Sequence, residues 1–152
     1  MPLDINIALK KLSLIADQLP FNQIIGLQLD DISSEKISMS FKMKKELIGN
    51  FIHQILHGGV ISSVLDMVGG MAAMRSIILK NQHAEEIELS EILGKTSTIH
   101  ININYVRPGK GHTFTATAIV THSGNKICFT TMELHNDTNK LIASGSATYL
   151  IS

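Results

Sequence analysis

The segment running from Gly58 to Leu79 constrains this chain more than any other. It stays apolar over about six helical turns. It opens on His57-Gly58-Gly59-Val60 and carries a single carboxylate, Asp66. At 100° per residue, Ser62, Ser63, Gly69, Gly70 and Ala73 all fall within about 60° of Asp66. Val60, Ile61, Val64, Val68 and Met71 occupy the opposite side and are expected to pack on a sheet. The Asp66 face is made of small residues, which admits another backbone or a thin ligand. Glycines 69 and 70 each cost a helix interior roughly 1 kcal/mol relative to alanine. Close packing against a second subunit is the simplest compensation.

The same segment carries the chemistry. Two glycines at a helix start leave backbone N–H groups open to a ligand, at the positive end of the helix dipole, where a developing oxyanion is stabilised. A carboxylate in apolar surroundings is costly unless it is paired or used. Gly58 and Asp66 lie eight residues apart, about 12 Å along one helix axis. One carbonyl cannot reach both on a single chain. If both act on it they come from two subunits, so the expected catalytic unit is a dimer.

The remaining sequence is read as α+β. Ile7, Leu9, Leu12, Ile15, Ala16 and Leu19 give a helical stripe that Pro20 ends. Residues 24–32 and 36–43 read as strands, the second alternating at Ile37, Met39, Phe41 and Met43. A loop is expected over 44–56, and a mobile helical extension and loop over 80–95. Ile99, Ile101, Ile103 and Tyr105 alternate with His100, Asn102 and Asn104. Strands over 113–122, 126–135 and 140–151 complete five or six, with a long helix lying on an antiparallel sheet. Residues 1–152 are expected to form one domain.

Lys+Arg and Asp+Glu are equal at 13 each, so no broad field favours nucleic acid or an anionic membrane. Cys128 is the one cysteine, which fits a reducing compartment and reads as inert core. No apolar run is taken as long enough to span a bilayer. Asp4 and Lys10-Lys11 inside a helical pattern do not read as a signal peptide. A cytoplasmic protein is expected. His53 and His57 lack a third ligand at a usual spacing, so neither metal nor cofactor is expected.

Gly49-Asn50, His57-Gly58-Gly59, Asp66, Tyr105-Val106-Arg107-Pro108-Gly109, Gly124-Asn125-Lys126, Glu133-Leu134-His135-Asn136 and Ala143-Ser144-Gly145-Ser146-Ala147-Thr148-Tyr149 resemble the PaaI-like thioesterases of the hotdog fold, nearly end to end. The resemblance implies a long helix wrapped by a sheet and subunits paired edge to edge, as homodimers that pair again into homotetramers. It implies Asp66 as general base, or as a nucleophile, and the Gly58 N–H as carbonyl polariser. His57 and Asn50 would shape that loop, and Thr98 would orient water near the carboxylate of the partner's site. Gly59 and Ser62 would line the substrate, and Arg107 would meet a CoA phosphate or stand as a solvated strand-end cation.

The sequence departs from the family pattern in three places. Asn50 lies seven residues before His57 where some relatives place it six before, His100 stands where many carry Asp, and residues 80–95 are longer than in compact members. The implied reaction is hydrolysis of medium- to long-chain acyl-CoA to a fatty acid and CoA. A non-catalytic acyl-CoA-binding regulator and a hotdog hydratase or dehydratase are the alternatives. The His-Phe-Pro-Gly and Asp-x-Asn-Pro-x-His phrases of the latter are absent.

Overall fold

The computed structural model describes residues 3–152. Asp4 opens the first helix, its carboxylate accepting from the N–H groups of Asn6 and Ile7 at 2.9 and 3.3 Å, two of the donors a helix start leaves unpaired. This helix, α1 (Ile5–Gln18), buries Ala8, Leu9, Leu12 and Ala16. Ile7 and Ile15, placed on the inward stripe by periodicity, are exposed, because burial follows a narrower track one residue round the helix.

Pro20 ends α1 by starting another helix, α2 (Pro20–Ile25). Proline costs no hydrogen bond at the first helical position. The buried Asn22 amide donates to the Ala16 carbonyl at 2.7 Å, and Gly26 closes the helix at φ 78°, a left-handed conformation glycine adopts without strain. The strand expected over 24–32 therefore shrinks to β1 (Gln28–Asp31). β2 (Ile37–Lys42) has the expected alternation, with Ile37, Met39 and Phe41 buried. The expected loop over 44–56 holds a short 3-10 turn and a separate two-stranded ribbon, β3 (Ile48–Asn50) with β4 (Ile55–Leu56).

The central helix, α3 (Gly58–Lys80), spans 23 residues. Residues 80–95 do not extend it. Asn81 caps α3, and a separate α4 (Glu86–Gly94) buries Leu89 and ion-pairs Glu86 with Lys11 of α1. Four long or medium strands follow: β5 (Ser97–Tyr105), β6 (Thr113–Ser123), β7 (Ile127–Asn136) and β8 (Leu141–Leu150). The main sheet has six strands in the order β1-β2-β6-β7-β8-β5, every pair antiparallel.

One face of this sheet packs on α3. Alternate residues of β6, β7 and β8, among them Phe114, Ala116, Met132, Leu134 and Ala147, meet Ile61, Val64, Leu65, Val68 and Met71 in one core. By length and composition α3 is apolar enough to cross a membrane, contrary to the sequence expectation, and 56% of its most apolar window is buried inside the protein.

Two details of the packing correct the sequence reading. Gly69 and Ala73 are buried within the chain. A Cβ on Gly69 would collide with the Tyr149 hydroxyl and lie 3.0 Å from Thr130 Oγ1. The glycine is explained by its own sheet, not by a second subunit. The other detail is a bulge in β5. Thr98 pairs with Tyr149, but the next pair is His100 with Thr148, so Ile99 is an extra residue. Strict alternation would set Ile99 inward and Thr98 outward. The bulge turns Thr98 to the face shared by Tyr149, and Ile99 is 54% exposed.

Candidate active site

The loop entering α3 is set by close backbone contacts. A Cβ on Gly49 would collide with His57 Cα, so glycine is required there. His57 N–H donates to the Leu47 carbonyl at 2.8 Å and Leu56 N–H to the Gly109 carbonyl at 3.0 Å. Asn50 Oδ1 accepts from the N–H groups of Ile52 and His53, both at 3.1 Å, and so folds the turn that separates β3 from β4. Asn50 thus shapes the loop through its backbone.

His57 is the N-cap of α3, its Nδ1 accepting from Gly59 N–H at 2.8 Å. That bond requires a neutral ring with its proton on Nε2. It leaves Gly59 with no free N–H. The Gly59 carbonyl accepts from the hydroxyls of Ser62 and Ser63 at 3.1 and 2.6 Å, so both serines turn their protons back to the helix. Among the described residues nothing accepts from Gly58 N–H, which stands at the positive end of α3. Tyr105 at the end of β5 lies against Gly58, its hydroxyl donating to the Gly58 carbonyl at 3.3 Å.

Two turns further along, Asp66 meets the sheet. Thr98 Oγ1 donates to Asp66 Oδ1 at 2.9 Å. This pair lies within one chain. The bulge at Ile99 is the physical reason, since it aims Thr98 at its own helix. The Tyr149 hydroxyl reaches the same residue, 2.8 Å from the Asp66 carbonyl and 3.2 Å from Oδ1. Burial first, and the Asp66 carboxylate second, push this hydroxyl above the ordinary phenol range, so it keeps its proton.

Arg107 stands on the loop after β5 and donates from Nη1 to the Leu141 carbonyl at 2.9 Å. Among the described residues no three His, Cys, Asp or Glu side chains converge as metal ligands. Burial raises the Cys128 thiol, which disfavours the thiolate. The structure thus brings Thr98 to Asp66, and His57 and Asn50 to the loop of Gly58. It keeps Arg107 apart from Asp66. Tyr149 and Tyr105 were missed as neighbours of Asp66 and Gly58. The available signal was the run of inward positions 143, 145, 147 and 149 on β8, of which only the last carries a large polar group.

A thioesterase superfamily model matches residues 53–143, which takes in the Gly58 loop, Asp66, Thr98, Tyr105 and Arg107. The chain belongs to the thioesterase superfamily. It is 38% identical over 133 residues to the medium/long-chain acyl-CoA thioesterase YigI of Escherichia coli K12, covering 88% of this chain and 86% of that one. A crystal structure from Shewanella oneidensis, of a protein related to the thioesterase superfamily, superposes with a TM-score of 0.94 at 37% identity, covering 97% of each chain. The PaaI protein of the E. coli phenylacetic acid degradation operon shares the fold at a TM-score of 0.74 and 17% identity, over 94% of this chain and 91% of that one. The architecture is the α+β hotdog fold expected from the sequence, and the activity class is thioester hydrolysis.

Proposed function

We propose that the chain, as a single cytoplasmic domain, hydrolyses medium- to long-chain acyl-CoA to a free fatty acid and CoA. Asp66 takes a proton from water as the water oxygen bonds to the thioester carbonyl. The Gly58 N–H holds the oxyanion. Collapse of the tetrahedral adduct breaks the C–S bond, and the proton passes to the departing sulfur. The observation that carries this reading is one helix presenting an unpartnered N–H at its start and a hydroxyl-held carboxylate at Asp66.

The two groups sit about 12 Å apart on α3, so each site uses Gly58 of one subunit and Asp66 of another. β5 is a sheet edge with Ile99 and Tyr105 exposed, and Val106 just beyond it, which is the kind of edge that pairs with a second copy. Homodimers follow from that pairing, and the family resemblance extends them to pairs of homodimers. His57 and Asn50 hold the loop. Arg107, with one guanidinium nitrogen on Leu141, offers its remaining donors to a CoA phosphate.

Thiol release from an acyl-CoA panel running from C2 to C18, with benzoyl- and phenylacetyl-CoA, tests the proposal. Asp66→Ala is expected to lose roughly 10²- to 10⁴-fold in turnover with its oligomeric state unchanged. Acyl-CoA binding without turnover by the wild type would instead establish the regulator.

A further inference from the structure

We propose that Tyr149 is a positioning residue for the Asp66 carboxylate, fixing Oδ1 together with Thr98 so that Oδ2 faces the water. The inference rests on the reading of Asp66 as the base.

Three independent features place the hydroxyl there. The register of β5 against β8 pairs Thr98 with Tyr149; alternation along β8 turns Tyr149 toward α3, and the bulge at Ile99 turns Thr98 to the same face. Both hydroxyls then reach the same carboxylate oxygen, at 2.9 and 3.2 Å. The helix makes room for the phenol by having glycine at 69, where any Cβ would strike the Tyr149 oxygen. Tyr149 is only 2% exposed, so its hydroxyl has no water to turn to, and a buried phenol needs a partner. Asp66 supplies that partner, the single phenol proton being shared between its carbonyl at 2.8 Å and Oδ1 at 3.2 Å.

The consequence for chemistry lies in what is left over. Among the described residues Oδ2 of Asp66 accepts no hydrogen bond. A carboxylate anchored at one oxygen cannot rotate freely, and its other oxygen keeps one direction. A base held in that way loses little orientational freedom when it removes a proton. Tyr149 retains its own proton and does not compete as an acid or a base.

A purely structural tyrosine would anchor the helix carbonyl and leave turnover alone, so the test separates kcat from KM and from stability. In the full chain, Tyr149→Phe is expected to lower kcat roughly 10- to 100-fold, the worth of a hydrogen bond to a charged group. KM should stay within about two-fold. Asp66→Ala is assayed beside it. Tyr149→Phe with wild-type kcat, beside an inactive Asp66→Ala, overturns the role of Tyr149 alone. An active Asp66→Ala overturns the base assignment and this inference with it.

Because Tyr149→Phe removes a tether from the helix, a second measurement leaves the fold intact. The chain has two tyrosines, so a Tyr105→Phe background leaves Tyr149 alone to take up 3-fluorotyrosine biosynthetically. The more acidic phenol is a stronger donor to Oδ1. It should move the acid limb of the kcat–pH profile to lower pH relative to the unlabelled protein in the same background. An unmoved limb overturns the inference.

Discussion

At the start of α3 the side-chain caps that shape the Gly58 loop are local. His57 caps a residue two positions on, and Asn50 bonds N–H groups two and three positions on. Around Asp66 the partners lie 32 and 83 positions away, on two different strands. Both stations sit on one helix, yet the side-chain caps of one come from its own peptide, with Gly109 and Tyr105 packed against it, and those of the other come from sheet register. The local one uses backbone groups, whose directions are fixed by the helix itself. The distant one uses side chains, whose directions depend on a bulge and on the absence of a Cβ at Gly69.

The largest expected effect in this comparison comes from deleting the backbone donor without touching the loop. Gly58 is the first residue of α3, where proline is tolerated and its missing N–H breaks no helical bond. His57 before it, at φ −62° and ψ 134°, already has the extended conformation that a residue preceding proline adopts. Gly58→Pro should lose roughly 10²- to 10³-fold in kcat, as loss of an oxyanion donor does. Its melting temperature should stay near that of the wild type.

The same variant sharpens the question of whose Asp66 faces whose Gly58. When Gly58→Pro and Asp66→Ala subunits are co-refolded at equal amounts, half of the dimers are mixed. Each mixed dimer regains one intact site of two, so about a quarter of wild-type activity returns if the two groups come from different subunits. No recovery would put both groups on the same chain and break the two-subunit site.

The contrast also explains what was legible beforehand. The Gly58 loop could be read because a cap, a pair of glycines and a carboxylate nine residues after the cap are all adjacent in sequence. The four C-terminal strands were placed to within about two residues by alternation. Three features escaped. Residues 20–25 fold as a helix because capping by Pro20 and Gly26 outweighs the β-branched pair Ile24-Ile25. Gly69 looked like an opening for a neighbour because helical angles alone do not say which arc the sheet covers. The bulge that aims Thr98 at Asp66 is invisible to a period of two, so Thr98 rested on the family resemblance alone and Tyr149 could not be tied to Asp66.

A smaller effect should appear at alkaline pH, and only at the register-built end. In the folded chain Tyr149 holds its proton well above the ordinary phenol value of 10.0. Between those two limits the native state binds a proton that the unfolded state has lost. This contribution to stability is fully present below about pH 10 and declines above it, by about 1.4 kcal/mol per pH unit. Denaturant unfolding followed from pH 8 to 11 should show that decline in the wild type. In Tyr149→Phe the Tyr149 share of the slope should be missing, and an unchanged slope would mean the phenol is not shielded as its position beside Asp66 requires.

The smallest effect is expected at Arg107, which belongs to neither station. Its backbone N–H and that of Val106 both donate to the Ile142 carbonyl, and its Nη1 to the Leu141 carbonyl. The loop therefore stays tied to β8 by main-chain bonds when the side chain is removed. What Arg107→Ala takes away is a solvent-exposed cation, and an exposed charge pair is worth about 0.2–1 kcal/mol. KM for acyl-CoA should rise about two- to five-fold with kcat unchanged, and the difference should shrink as salt is raised. A fall in kcat with constant KM would place Arg107 with the reacting groups instead. The site would then depend on a third station beyond the two that α3 carries.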